Sequence, residues 1–261
     1  MSDAKVTWAV FTKPWTVPLP ELGRLVSGMG FNGIELPARE GYPVNPENLT
    51  KMLPEAVKIL GDHGVKICSV TGPATEEAIT AYGAAGIPIL RVMVPDLADY
   101  RATEAAARKD YDRMLPMLER HNVKVGVQNH SGGYICNATT LLHLIEGYDP
   151  ERIGAVLCVG HCALNGEPIT KAIDIIWPHL AMVFFKNAFW RRTNGPEAEV
   201  ASWGPHWTAG RHGLQSWPTV AAELKKRGYR GVINLNAEYS DMSMVNRLAT
   251  EDLQFAKSLF Q

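Results

Sequence analysis

Side chains able to move a proton or hold a sugar recur at one kind of place in this chain, just after short apolar runs. Lys13 and Trp15 follow the first run and Glu35 ends the second; Gln128, Asn129 and His130 close a later one. Cys158 and His161 come next, then Lys186, and finally Asn236 and Glu238. A carboxylate together with a neutral imidazole or an ammonium can abstract a proton beside a carbonyl and steady the oxyanion that develops. Burial and neighbouring charges must first push their pKa values apart. In such chemistry Glu238 is the base, His161 or Lys186 stabilises the oxyanion, and Glu35 and His130 bind hydroxyls. Each has a structural alternative. Glu35 can pair with Lys13 or Lys186, the histidines can be hydrogen-bonded struts, and Lys186 can be the ion-pair partner of Glu238.

Cys158-x-x-His161 with His130 also offers soft ligands for zinc, or a thiol beside a base. A buried structural thiol is the commoner use of such a cysteine and is the expectation here. The stretch Asn187–Ser216 carries Trp190, Trp203, Trp207 and His206, with Arg191, Arg192, Arg211 and His212. Indole faces pack on the C–H faces of sugars, and arginine forks suit carboxylate or phosphate. The same composition serves a subunit contact, which leaves room for a homo-oligomer.

The apolar runs themselves read as strands: Val6–Phe11, Gly33–Leu36, Val65–Val70, Ile89–Val94, Val123–Gln128, Ile153–Cys158, Ala181–Phe185 and Gly231–Leu235. Several are rich in Val and Ile with little alternation, as in strands covered on both faces. Between them lie helical stripes: Leu22, Leu25, Val26 and Met29; Leu53, Ala56, Val57 and Leu60; Tyr111, Met114, Leu115 and Leu118; and, in a shorter helix over Pro218–Arg227, Val220, Ala221 and Leu224. Gly30, Gly64 and Gly228 stand where left-handed helix ends belong. Eight strand-helix units in 261 residues predict an α/β fold, a (β/α)8 barrel forming one domain over 1–261. A doubly wound sheet would call for a glycine-rich phosphate turn, and the sequence has no G-x-G-x-x-G or Walker pattern. In such a barrel the chemistry lies at the C-terminal strand ends, which is where the polar residues above fall. The long connection 187–216 after the seventh strand is of the length that is often functional.

Apolar residues make up 46% of the chain and charged residues 20%, an ordinary folded composition. Lys plus Arg total 26 against 27 Asp plus Glu. That balance argues against nucleic acid as a partner. No apolar run is long enough to cross a membrane. The start, Met1–Lys5, has no apolar stretch of the signal-peptide kind. Four cysteines without a C-x-x-C pair read as reduced thiols, which together place the protein in the cytoplasm.

Gly33-Ile34-Glu35-Leu36, Val127-Gln128-Asn129-His130-Ser131-Gly132, Ile153 through His161, Phe185-Lys186-Asn187 and Ala237-Glu238-Tyr239 carry a resemblance along nearly the whole chain. The chain resembles the xylose-isomerase-like TIM barrels, which include sugar isomerases and epimerases, inosose dehydratase and type IV AP endonucleases. The Gln-Asn-His-Ser-Gly stretch is similar to a branch labelled sugar phosphate isomerase/epimerase. The resemblance implies a (β/α)8 fold and a divalent ion, Mn²⁺, Mg²⁺ or Co²⁺, held by Glu, Asp, His and Glu at strands five to eight. Here those positions are Gln128, Cys158, Phe184 and Asn236, and the Asp that usually follows the lysine is Asn187. Amides, a thiol and a phenyl ring do not compensate a divalent charge, so no metal site or other cofactor is expected, Mn, Mg, Co or Zn included. The expected activity is isomerisation or epimerisation of a sugar, sugar phosphate or polyol by proton abstraction beside a carbonyl. The alternatives are a non-catalytic sugar-binding relative and a keto-sugar or inosose lyase or dehydratase. A small-molecule carbohydrate is the expected partner.

Overall fold

The computed structural model describes residues 6–261. The segment Met1–Lys5, on which the signal-peptide reading rests, lies outside the described residues.

Among the described residues ten strands form, and eight of them close a parallel barrel. The strands are β1 (Thr7–Phe11), β2 (Gly33–Pro37), β3 (Lys66–Thr71), β4 (Ile89–Met93), β5 (Lys124–Gln128), β6 (Ile153–Cys158), β7 (Leu180–Phe185), β8 (Asn187–Arg192), β9 (Trp203–Thr208) and β10 (Val232–Asn236). Around the barrel the order is β1-β10-β7-β6-β5-β4-β3-β2, so β10 is the eighth barrel strand. Each barrel strand lies within one residue of its expected bounds. The helices are α1 (Leu19–Met29), α2 (Leu49–Asp62), α3 (Glu76–Ala84), α4 (Tyr100–His121), α5 (Ala138–Ile145), α6 (Val159–Leu164), α7 (Ile169–Ile176), α8 (Trp217–Lys226) and α9 (Val245–Ser258). None is long and apolar enough to cross a membrane among the described residues.

Local sequence explains these limits. Helix α1 carries proline in its first turn and ends at Gly30, whose φ of +94° a side chain would disfavour. Helix α5 starts on a capping box in which Asn137 and Thr140 satisfy each other's main chain. One stripe residue departs from expectation: Val57 faces solvent.

The connection 187–216 is not an irregular loop. It opens with an antiparallel hairpin, β8 on β9, with Asn187 opposite Thr208 and Arg192 opposite Trp203. Sequence pattern missed it because its alternation is carried by Trp, His, Arg and Pro rather than by aliphatic residues.

The hydrophobic core has two parts, because barrel strands turn alternate residues to the helices and to the lumen. A large layer fills the space between strands and helices, with Leu53, Leu60, Leu118 and Leu141 among its fully buried members. A small cluster of Ile89, Val156, Cys158, Met182 and Phe184 fills the lumen. Glu35, Ser69, Arg91, Gln128 and Asn234 are also buried on these strands. A barrel lumen holding charged residues is unusual and must satisfy them internally.

Candidate active site

Arg91 satisfies most of that lumen. Its Nε donates to Glu35 Oε1 at 2.8 Å, Nη2 lies 2.7 Å from the same carboxylate, and Nη1 donates to Gln128 Oε1 at 2.7 Å. Ser69 Oγ donates to the other Glu35 oxygen at 2.9 Å. The guanidinium also lies over the rings of Phe11 and Phe184, 4.9 and 5.4 Å from their centroids. It forms part of the wall of a cleft of about 290 Å³ at the C-terminal mouth of the barrel. Two of the five guanidinium N–H groups remain unspent on Glu35 and Gln128.

Above this cation stand two histidines. His130 leaves the end of β5. His161 sits on α6, which begins as β6 ends. Their ring centroids are 4.0 Å apart. Ser131 sorts their protons. Its carbonyl can only accept, so His130 Nδ1, 2.9 Å away, carries a proton and leaves Nε2 as a lone pair. The Ser131 N–H can only donate, so His161 Nδ1 at 3.1 Å is the acceptor. The Ser131 hydroxyl, at 2.8 Å, reinforces this. The His161 proton therefore resides on Nε2, which is buried without a protein partner among the described residues. Burial, and then the Lys186 charge, pull both histidines below the ordinary imidazole pKa, His161 well below it. The pair thus presents one neutral donor and one neutral acceptor.

Glu238, just past β10, meets Lys13 Nζ at 2.5 Å and Lys186 Nζ at 2.9 Å. Burial alone would raise its pKa. The two ammonium groups outweigh burial and hold it at about 2. Lys186 is almost buried and Lys13 half exposed, so one clamp lies inside the site and the other faces solvent. Lys186 Nζ also lies 3.7 Å from the centre of the Trp207 ring on β9, which seals the site from the hairpin side. Asn187 anchors that hairpin: its Nδ2 donates to the carbonyls of Gly210 and Gln215, each at 2.8 Å. Gly160 lets α6 approach β7, since a Cβ there would lie 2.7 Å from the Lys186 carbonyl oxygen.

Lys13, Gln128, His130, His161, Lys186, Trp207, Asn236 and Glu238 therefore meet at one cleft. The other residues named from the sequence go elsewhere. Glu35 lies beneath the cleft on Arg91, not on Lys13 or Lys186, because the guanidinium fork gives it two bonds inside the lumen. Asn129 ties β5 to β6: its Oδ1 accepts from Cys158 N at 2.7 Å and its Nδ2 faces the Cys162 thiol. Trp15 is buried with Nε1 on Asn246 Oδ1 at 2.8 Å. Trp190 is 45% exposed on the hairpin and bonds the Leu164 carbonyl. His206 packs on Phe189. Sequence reasoning missed Arg91, Arg39, Phe11 and Met93, all on the cleft wall. Arg91 left a trace: an arginine inside an apolar strand run requires a buried partner.

The donors at the positions that would hold a divalent ion do not fit one. Gln128 Oε1 is occupied by Arg91, Phe184 lies under the guanidinium, and Asn236 Nδ2 faces Glu238 at 3.3 Å. Burial raises the Cys158 thiol, which disfavours the thiolate a metal needs. A resident guanidinium at this point would repel a divalent cation. Among the described residues no group of three His, Cys, Asp or Glu side chains gathers as ligands elsewhere.

A family model described as xylose isomerase-like TIM barrel matches residues 24–259. Among curated proteins none matches. Solved structures share the fold at low identity. A xylose isomerase domain protein from Planctomyces limnophilus has a TM-score of 0.76 at 15% identity, over 98% of this chain and 97% of that one. A D-psicose 3-epimerase from Clostridium cellulolyticum H10 with D-tagatose has 0.74 at 12%, over 98% and 100%. The probable 3-DHS dehydratase AsbF from Bacillus anthracis has 0.75 at 13%, over 97% and 99%.

Proposed function

Since this chain belongs to the xylose isomerase-like TIM barrel family, we propose that it is an isomerase or epimerase of a sugar, sugar phosphate or polyol that moves a proton beside a carbonyl without the divalent ion its family usually holds. The observation that carries this reading is the pair of oppositely protonated neutral histidines set by Ser131. His161 Nε2–H is the donor for the substrate carbonyl. A neutral imidazole suits that role because it gains hydrogen-bond strength as the oxygen becomes an oxyanion and does not simply surrender its proton. Lys186 adds positive charge beside it.

Two acceptors then serve the carbon. His130 Nε2 is a lone pair at the β5 end, and Glu238 is a carboxylate at the β10 end, three strands round the barrel. Both start without a proton to give, so one of them removes the proton from the carbon, and a proton delivered to the opposite face is first taken from solvent by the other while the first returns its own to solvent. Glu238 at a pKa of about 2 is a weak base while both lysines hold it. A substrate hydroxyl that draws the exposed Lys13 aside would strengthen it. The shared first step also serves a dehydratase, and the fold likeness to D-psicose 3-epimerase and to AsbF is compatible with either outcome.

The test is exchange of substrate C–H with solvent deuterium, followed by NMR across a panel of ketoses, keto-sugar acids and ketose phosphates, with chelator present. Exchange that survives chelator and is lost in His161→Gln and Glu238→Gln is expected. A folded protein that binds a panel member yet exchanges nothing would instead be a sugar-binding relative without catalysis.

A further inference from the structure

The cleft carries a surplus of fixed positive charge. Lys13, Arg39, Arg91 and Lys186 line it, and Glu238 is the one carboxylate that does. Counting Glu35 beneath Arg91 still leaves two more cations than anions. The whole chain is at −1, so this is a local feature and not general basicity. Neutral histidines add nothing to it and supply a donor instead.

Arg39 is the group this surplus leaves over. It is exposed at the rim, and one N–H is spent on Thr71 Oγ1 at 2.9 Å. Among the described residues no carboxylate pairs with it, whereas Arg91, Lys13 and Lys186 each have one. It lies 5.9 Å from the centroid of the same Phe11 ring that Arg91 covers at 4.9 Å. Two guanidinium groups sharing one ring repel each other, and only one of them is compensated. A fork at the rim with most of its N–H groups free, lining the same cleft as an inner guanidinium with two to spare, offers paired donors suited to a planar or tetrahedral anion. A neutral ketose gives such a receptor no charge to neutralise.

We propose that the substrate is an anionic sugar, carrying a carboxylate or a phosphate, and that Arg39 is the residue that selects it by gripping the anionic group at the rim while the carbonyl end reaches His161. This rests on the proposed function for which end of the substrate reacts, but the binding claim is tested without turnover.

Isothermal titration of the full chain with D-fructose, 2-keto-D-gluconate, D-fructose 6-phosphate and inorganic phosphate separates the cases. Expected is measurable binding of at least one anionic sugar at least tenfold tighter than D-fructose, weakened on going from low to 0.3 M salt, roughly as counterion competition requires. A stronger response to 2-keto-D-gluconate assigns a carboxylate; a stronger response to the phosphate ester or to inorganic phosphate assigns a phosphate. Arg39→Gln is expected to remove at least tenfold of the anion's affinity and leave any D-fructose binding unchanged. Because Arg39 is exposed, the variant should keep the wild-type melting temperature. D-fructose binding as tightly as the anions, no binding by any of the three anions, or an Arg39→Gln variant that binds the anions as before would overturn the proposal. Anion binding without deuterium exchange would leave it standing and sink the catalytic reading alone.

Discussion

Replacing Lys186 by Met removes the inner jaw on Glu238 and keeps a side chain of similar length in place. The carboxylate is held at about 2 instead of its ordinary 4.5. That shift corresponds to about 3 kcal/mol of preference for the ionised form in the fold. Since the folded pKa is depressed, the contribution is complete above about pH 4.5 and disappears as pH falls through about 2. Losing Lys186 leaves burial, which opposes ionisation, against the half-exposed Lys13 alone. Wild type should therefore exceed the variant by about 2–3 kcal/mol at pH 7. The gap should narrow steadily below pH 4.5. Denaturant unfolding between pH 3 and 8 measures this, and carbon NMR of labelled glutamate follows the Glu238 titration directly. In a Glu238→Gln background the same replacement should cost less, and a coupling of at least about 1.5 kcal/mol is expected from the double-mutant cycle. A gap that does not change with pH, or a coupling near zero, would refute the clamp and leave Lys186 as a packing partner of Trp207.

Three further outcomes follow from other parts of the fold. Arg91→Met strands Glu35 in the lumen with only Ser69, so unfolding free energy should drop by about 3–5 kcal/mol, and adding Glu35→Gln should recover part of it in the same denaturant titration. Gly160→Ala places a methyl 2.7 Å from the Lys186 carbonyl oxygen. It should cost about 1–3 kcal/mol and push α6 with His161 away from the cleft, seen as a lower melting temperature and weakened ligand binding. Asp252, which accepts from Gly210 N and the Tyr239 hydroxyl, is raised by burial to about 6. Its ionisation cost is absent below about pH 4 and complete above about pH 6, so stability should fall as pH rises through that window and Asp252→Asn should flatten the dependence. A melting profile in which the variant follows the wild type across pH 4–7 would discount it.

The barrel was legible because each strand is a short Val- and Ile-rich run and each helix an apolar stripe, and both patterns are local. Strand ends follow from the same patterns, so Lys13, His130, His161, Lys186 and Glu238 could be named before any coordinates. Their partners could not, because pairing across a barrel depends on register and on which way each residue turns. Glu35 and Arg91 are 56 residues apart and Lys13 and Glu238 are 225 apart. Whether Glu35 met a lysine at the mouth or an arginine in the lumen was decided by the inward turn of β2 and β4. The proton positions on the two histidines were decided by a single peptide, Ser131, whose N–H and carbonyl reach rings on two different elements. Residue types and their order along the chain determined which polar and ionisable side chains gather at this barrel mouth. Only closure of the barrel, which brings distant charges within a few ångströms, decided that the Arg91 guanidinium and not a lysine of the mouth pairs with Glu35.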